Sequence, residues 1–323
     1  MSRLSDCNEI KMPGTKRSRT NRHTPVSQSI EFAADQIEGA SLGRKSETNV
    51  LPEFQSQWSA LQRKVVTFGS DSESFHRSAA DAWHATYGTH VSRAIAQHSA
   101  ADFMVETVIG DDDRILIQST NEYPFSAICS LEITASTGRQ FVGTGWLVDE
   151  NTVVTAGHCV FLPDQGGWAK RIRVFPGRNG QQSRDSFLAI QLHSCSGWTQ
   201  DRRPAEDYGA ITIRGDASEH GSLGYVVLKD DDVVRNVYHL VGYPADKPLG
   251  TLWGHVRPLK QARRNVLIYE TDTYGGNSGC PVFAVNDAGE VFVVGIHTQG
   301  DISGNSATRI TDEVFENIQQ WSR

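Results

Sequence analysis

From about residue 108 onward, β-branched and other apolar residues come in short runs between turn signals. They include "AICSLEIT", "TGWLV", "NTVVTAG", "RIRVFPG", "FLAIQLH", "YGAITIR", "YVVLK", "VYHLVGYP", "NVLIYETDT", "CPVFAV" and "VFVVGIHT". Runs this short at this interval predict an all-β barrel or sandwich. Two stretches follow a different period. In "SAADAWHATYGTHVSRAIAQHSAADFMVE", Trp83, Tyr87, Val91 and Ile95 recur at spacings of four, which puts them on one helical face. In the closing "TDEVFENIQQW", Val314, Phe315, Ile318 and Trp321 share a face, and Thr311 or Asp312 stands where a helix cap belongs.

Residues 1–50 show neither period. "KMPGTKRSRTNRHTP" is basic, rich in turn formers and poor in large apolar residues, so it buries too little surface to offset its ordering entropy. The chain therefore divides into a disordered basic arm over 1–50, a partly helical segment over 51–107 too short for a good core of its own, and a β domain over 108–323.

Composition narrows the function classes. The 323 residues are 38% hydrophobic, enough for a sizeable core in the β part. A formal net charge of −7 argues against a general nucleic-acid binder, which needs a basic face. No apolar run is long enough to span a membrane. The start, "MSRLSDCNEI", lacks the apolar core of a secretory signal, which leaves a cytoplasmic protein, export by another route, or a start that is not the native one. The five cysteines, Cys7, Cys129, Cys159, Cys195 and Cys280, are odd in number and show neither CxxC nor zinc-like spacing. They read either as buried thiols or as one bridge, Cys159–Cys195. Asp111 to Asp113 reads as a solvated turn and not a calcium loop. No metal and no cofactor is expected, the partners are peptide or protein substrates, and a monomer is expected.

The candidate chemistry starts at "TYGGNSGCP", where Ser278 stands among three glycines. A hydroxyl is a poor nucleophile at neutral pH. It needs a base within hydrogen-bond reach, and that base needs a third group to fix its tautomer. "VVTAGHCV" mounts His158 just after a buried-looking strand and a small-residue turn. "EDYGAITI" puts Asp207 at the mouth of another strand. Each residue alone has an ordinary structural reading; the three settings together, in the order His, Asp, Ser, are much rarer by chance.

"TAGHC", "DYGAI" and "GGNSGCPVF" resemble the three catalytic motifs of chymotrypsin-like serine proteases, in that family's chain order. With "VIGDDDR", "YPFSAI", "GGWAKRIRVFPGRNG", "HSCSGW", "GYPADKPLGTLW" and "DTYGGNSG", the chain more narrowly resembles the bacterial glutamyl endopeptidases over about residues 107–323. The resemblance implies two six-stranded antiparallel barrels with a site between them and a C-terminal helix. It implies a peptide-bond hydrolase in which His158 is the general base, Asp207 orients it and Ser278 forms the acyl-enzyme. The backbone N–H groups of Gly276 and Ser278 are the implied oxyanion hole. His297 and Thr273 are the implied readers of a glutamate side chain, and Val108 is the implied first residue of a processed enzyme, its amine near the specificity pocket. Residues 1–107 are then a prosegment or, alternatively, a permanent targeting or regulatory arm. The resembled family is secreted.

Departures are visible as well. Asn277 stands where animal trypsins carry an aspartate, so their activation salt bridge is not available. Cys280 replaces a serine, and the family's cysteine before "TGWL" is absent, so its usual bridge to Cys159 cannot form. Two rivals remain at this level: an active serine protease of different specificity, and a protease-like peptide-binding module whose N-terminal segment fills the cleft.

Overall fold

The alternation of the apolar runs resolves into paired strands, because each run offers one face to a core and both backbone edges to neighbours. The computed structural model describes residues 22–30, 83–84, 112, 114–285, 291–301 and 304–322. Upstream of the main domain lie β1 (Pro25–Ser29) and β2 (Trp83–His84), and β3 (Ile115–Ile117) opens it. The first barrel uses β4 (Ile128–Thr134), β5 (Gln140–Leu147), β6 (Thr152–Thr155), β9 (Arg171–Pro176), β10 (Phe187–Cys195) and β11 (Gly209–Ile213). A small ribbon, β7 (Phe161–Leu162) with β8 (Gly167–Trp168), projects between them.

The ring closes because β9 pairs with β4 on one side and with the first residues of β10 on the other. The second barrel uses β13 (Val237–Gly242), β14 (Leu252–Ala262), β15 (Val266–Tyr269), β16 (Pro281–Val285), β17 (Val291–Asp301) and β18 (Gly304–Arg309), and closes through β17 and β18. A short strand, β12 (Gly224–Tyr225), adds in parallel to β17, and β3 adds to β14. This is the expected double six-stranded antiparallel architecture.

One core fills the first barrel and the seam, with Leu131, Trp146, Val153 and Ile211 joined by Val241, Val256 and Phe283. A second core lies in the second barrel, around Tyr238, Leu267, Tyr269 and Val282. The short helices are α1 (Gly157–Val160), α2 (Ser196–Thr199) and α3 (Asp230–Val233), and α4 (Asp312–Trp321) ends the described chain. In α4, Val314, Ile318 and Trp321 are buried as the periodicity predicts, together with Asn317, and the Thr311 hydroxyl accepts from the Val314 N–H as the cap.

Three expectations are corrected. The arm over 1–50 is not disordered throughout: Pro25–Ser29 pairs antiparallel with β10, since β9 covers only Phe187 and Leu188 of that edge and leaves the rest for another strand. Trp83 is not on a helix. With His84 it pairs with Val142 and Phe141 of β5, whose free edge exists because β6 pairs only Gly145–Leu147. The other residues of that predicted helical face lie outside the described residues. Cys159 and Cys195 form no bridge: the Cys159 thiol is aimed at the Ser278 carbonyl and the Cys195 thiol at the Glu206 carbonyl. Asp112 is exposed, as expected of a solvated segment, and its carboxylate also chelates the Arg114 guanidinium and pairs with Lys247. Asp111 and Asp113 lie outside the described residues.

Candidate active site

His158 sits in α1, the single turn that follows β6, and Asp207 immediately precedes Tyr208 and β11. β6 and β11 are antiparallel neighbours with Gly209 opposite Thr155, so the sheet register alone brings the two side chains together. Asp207 holds His158 twice. Its Oδ1 accepts from the His158 backbone N–H at 2.8 Å, and its Oδ2 accepts from Nδ1–H at 2.7 Å. Both side chains are buried. Glycine at 157 is required here: a Cβ would stand 2.8 Å from Asp207 Oδ1 and from the Trp198 ring. Burial is the largest single influence and pulls the imidazole pKa down, but the Asp207 charge, the neighbouring Cys159 and the hydrogen bonds to both together outweigh it, and the net pKa stands well above the ordinary value.

Ser278 lies in the turn that enters β16, in the second barrel. Its carbonyl accepts from the Thr144 N–H of β5 at 2.9 Å and faces the Cys159 thiol at 3.6 Å. The serine turn is therefore seated on the two first-barrel elements that flank His158, across the seam. The turn is braced throughout. Asn277 N–H donates to Tyr274 O, Cys280 N–H to Asn277 O, and Thr144 Oγ to Gly276 O. Gly276 has φ +102°, and a Cβ there would meet Tyr243 O at 2.6 Å and Ala245 N at 3.0 Å. The clash that requires glycine is thus with the 243–245 loop behind the turn, in addition to any substrate in front.

His297 is placed beside this turn by backbone. Gly279 N–H donates to His297 O at 2.7 Å, and His297 N–H donates to Cys280 O at 2.9 Å. The imidazole is fully buried, and its Nδ1 is hydrogen-bonded to the Tyr269 hydroxyl at 2.6 Å. Thr273 is buried, and its Oγ has no hydrogen-bond partner. Val108 lies outside the described residues.

Two residues escaped the sequence reading. Tyr269 looks like any strand aromatic in "NVLIYETDT", and only the β15–β18–β17 order brings it to His297. Arg114 is the second. Its buried guanidinium is gripped by Asp112 at 2.9 Å and by Asp246. It lines a small cleft with Leu240, Trp253, His255, Asp272 and Asn277. That cleft contains the neighbours of Ser278 and Thr273 but neither residue itself. Asp246 adjoins Ala245, whose N–H donates to Gly275 O at 2.7 Å, so the guanidinium braces the loop behind Gly276.

Residues 143–296 match the trypsin-like peptidase domain family. The glutamyl endopeptidase of Bacillus licheniformis is 36% identical over 231 residues, which are 68% of this chain and 71% of that protein. The chain belongs to the glutamyl endopeptidase family of trypsin-like serine proteases. A Bacillus subtilis protein named extracellular metalloprotease is 40% identical over 220 residues, covering 67% of this chain and 70% of that protein. Among the described residues of the present endopeptidase, no group of three or more His, Cys, Asp or Glu side chains is placed to hold a metal ion. In fold, this protease is similar to a solved Glu endopeptidase at TM-score 0.60 and 24% identity, over 67% of this chain and 99% of that one. No helix among the described residues is long and apolar enough to cross a membrane.

Proposed function

We propose that this serine endopeptidase cleaves peptide bonds through Ser278, His158 and Asp207, with preference for glutamate on the acyl side. The observation that carries the reading is the doubly held His158, with Nδ1 committed to Asp207 at 2.7 Å, while the serine turn is seated on the adjacent Cys159 and on Thr144. With Nδ1–H so engaged, Nε2 is the basic nitrogen. It takes the Ser278 proton as Oγ attacks the scissile carbonyl, then returns it to the leaving amine. Asp207 keeps the tautomer and stabilises the imidazolium. The N–H groups of Gly276 and Ser278 receive the oxyanion; one such donor typically lowers the barrier by about 3–4 kcal/mol.

The glutamate carboxylate is read by His297 and Thr273. The Tyr269 hydroxyl donates to Nδ1, which leaves Nε2–H as a donor, and the unpartnered Thr273 hydroxyl supplies a second. A carboxylate entering a site this buried requires such donors. Residues 1–107 are a prosegment, and cleavage before Val108 frees an amine that adds positive charge near the incoming glutamate.

Ser278→Ala lowers turnover by roughly four to six orders of magnitude with the fold intact, His158→Ala does much the same, and the pair together loses little more. Single-turnover assays on a glutamate peptide check this. Retention of more than a few per cent of activity by Ser278→Ala would overturn the mechanism. Limited proteolysis that produces a Val108 end together with a gain in activity is the expected outcome for the prosegment; full activity of the uncut chain, unchanged by trimming, would overturn it.

A further inference from the structure

The N-terminal strand β1 belongs to no part of the catalytic chemistry, yet it is built into the first barrel. β9 covers only Phe187 and Leu188 on one edge of β10. From Gln191 to Cys195 that edge is taken by Ser29 to Pro25, in antiparallel register. The ladder extends past both ends of the strand: Ile30 N–H donates to Ile190 O, and Ser196 N–H donates to Thr24 O, each at 2.9 Å. Without β1 those β10 groups form an open sheet edge, which pairs readily with any extended chain.

Side chains add selectivity to this backbone pairing. Ser27 Oγ is 2.7 Å from His193 Nδ1, and His23 Nδ1 is 3.0 Å from the Tyr208 hydroxyl. Asn317 of α4 donates to His23 O at 2.8 Å and bonds Tyr208 at 2.7 Å. Tyr208 and Asn317 are both buried, so the segment meets polar groups inside the protein and not only on its surface. Next to His23, Arg22 O accepts from Gly197 N–H at 2.7 Å and from Ser196 Oγ at 3.1 Å. A Cβ at Gly197 would stand 2.9 Å from that same carbonyl, so glycine at 197 is what lets Arg22 approach.

We propose that residues 22–30 are a non-covalent anchor, holding the N-terminal segment on the first barrel as an added strand after the connecting chain is cut. The occupant of the β10 edge is this chain's own strand, bound by β-augmentation. Because the anchor lies far upstream of Val108, cleavage there yields a two-chain enzyme and not a freed prosegment. That consequence rests on the prosegment reading; the anchor itself does not.

The test uses the full chain carrying Ser278→Ala, to prevent self-digestion, with a recognition sequence for a site-specific protease inserted between Arg44 and Lys45. After cutting, size exclusion and native mass spectrometry report whether residues 1–44 remain with the rest. The expected result is one fragment per protease, released by excess synthetic peptide spanning residues 21–31 and not by a scrambled peptide. Bonded positions alternate in an antiparallel ladder, so Val26, in phase with Thr24 and Ile30, is a donor. Val26→Pro removes that N–H and weakens retention at least tenfold. An unmodified fragment that elutes separately overturns the proposal, as does retention that neither the peptide nor Val26→Pro disturbs. A complex of two copies also overturns it, since the strand then serves a neighbour. No arm of this experiment depends on activity or on Val108, so failure of the prosegment reading leaves the outcome readable.

Discussion

The two least conspicuous side chains at the site carry the most specific consequences. On the proposed reading, Tyr269, bonded to His297 Nδ1 at 2.6 Å, fixes the tautomer with which His297 meets a glutamate carboxylate. Tyr269→Phe leaves that choice open and is expected to raise KM for glutamate substrates about tenfold, the value of one buried hydrogen bond, with a smaller effect on kcat. His297→Ala should shift KM in the same direction and further. Cleavage after other residues should fall less; equal losses on all substrates would mean that these two residues serve the fold. Arg114 acts from behind. Arg114→Met leaves Asp112 and Asp246 without their shared cation and loosens the loop against Gly275 and Gly276. Both carboxylates are partly exposed, so a stability cost of about 1–3 kcal/mol is expected, below that of a fully buried pair. The diagnostic effect is a fall in kcat with KM little changed, partly restored in Arg114→Lys.

At the scale of elements, α4 closes the first barrel over the anchor strand. Trp321 stacks on His193 at 5.7 Å and packs against Tyr208 at the same distance, while Phe315 packs on Tyr225 at 4.9 Å. The helix begins at a single side-chain cap, the Thr311 hydroxyl accepting from Val314 N–H at 3.4 Å. Thr311→Ala is expected to cost about 1 kcal/mol, read as a lower urea midpoint with an unchanged slope. Because α4 also holds His23 through Asn317, the same variant should loosen the anchor strand, seen as faster amide exchange in residues 22–30.

For the whole molecule, buried histidines set the acid limit. Burial holds His193 at about 4 and His239 at about 3, and lowers His220 despite the Asp185 carboxylate beside it. These imidazoles are neutral in the folded chain and titrate near 6.5 when unfolded, so the unfolded state binds more protons below that pH. Their contribution is complete above about pH 6.5 and is lost as pH falls toward 4 and 3, at up to about 1.4 kcal/mol per unit for each histidine. His158 has the opposite sign, with stability lost as pH rises through its raised folded value. Urea midpoints of the Ser278→Ala protein should therefore drop between pH 7 and pH 4.5, with a shallower drop in His239→Gln. A flat profile over that range would mean that these rings are not held neutral.

Sequence alone determined the elements that carry a strong local pattern. "AICSLEIT", "NTVVTAG" and "YGAITIR" became strands where their alternation put them, α4 formed where its period returned, and His158, Asp207 and Ser278 stood out as candidates because each sits in a motif with its own turn chemistry. The double barrel followed from the resemblance those motifs carry. Weakly patterned strands were not legible. β14, "LWGHVRPLKQA", and β18, "GNSATR", are strands because barrel closure supplies both their partners and their buried faces, which no window of neighbours reports. β1 reads as a polar tail for the same reason: its partner edge on β10 is far away in the chain and exists only once β9 has paired and stopped. The Tyr269–His297 bond, the Arg114 clamp and the diverging thiols of Cys159 and Cys195 were likewise decided by tertiary structure. Local periodicity records which face a segment buries; which distant edge or side chain meets it depends on how the two barrels close.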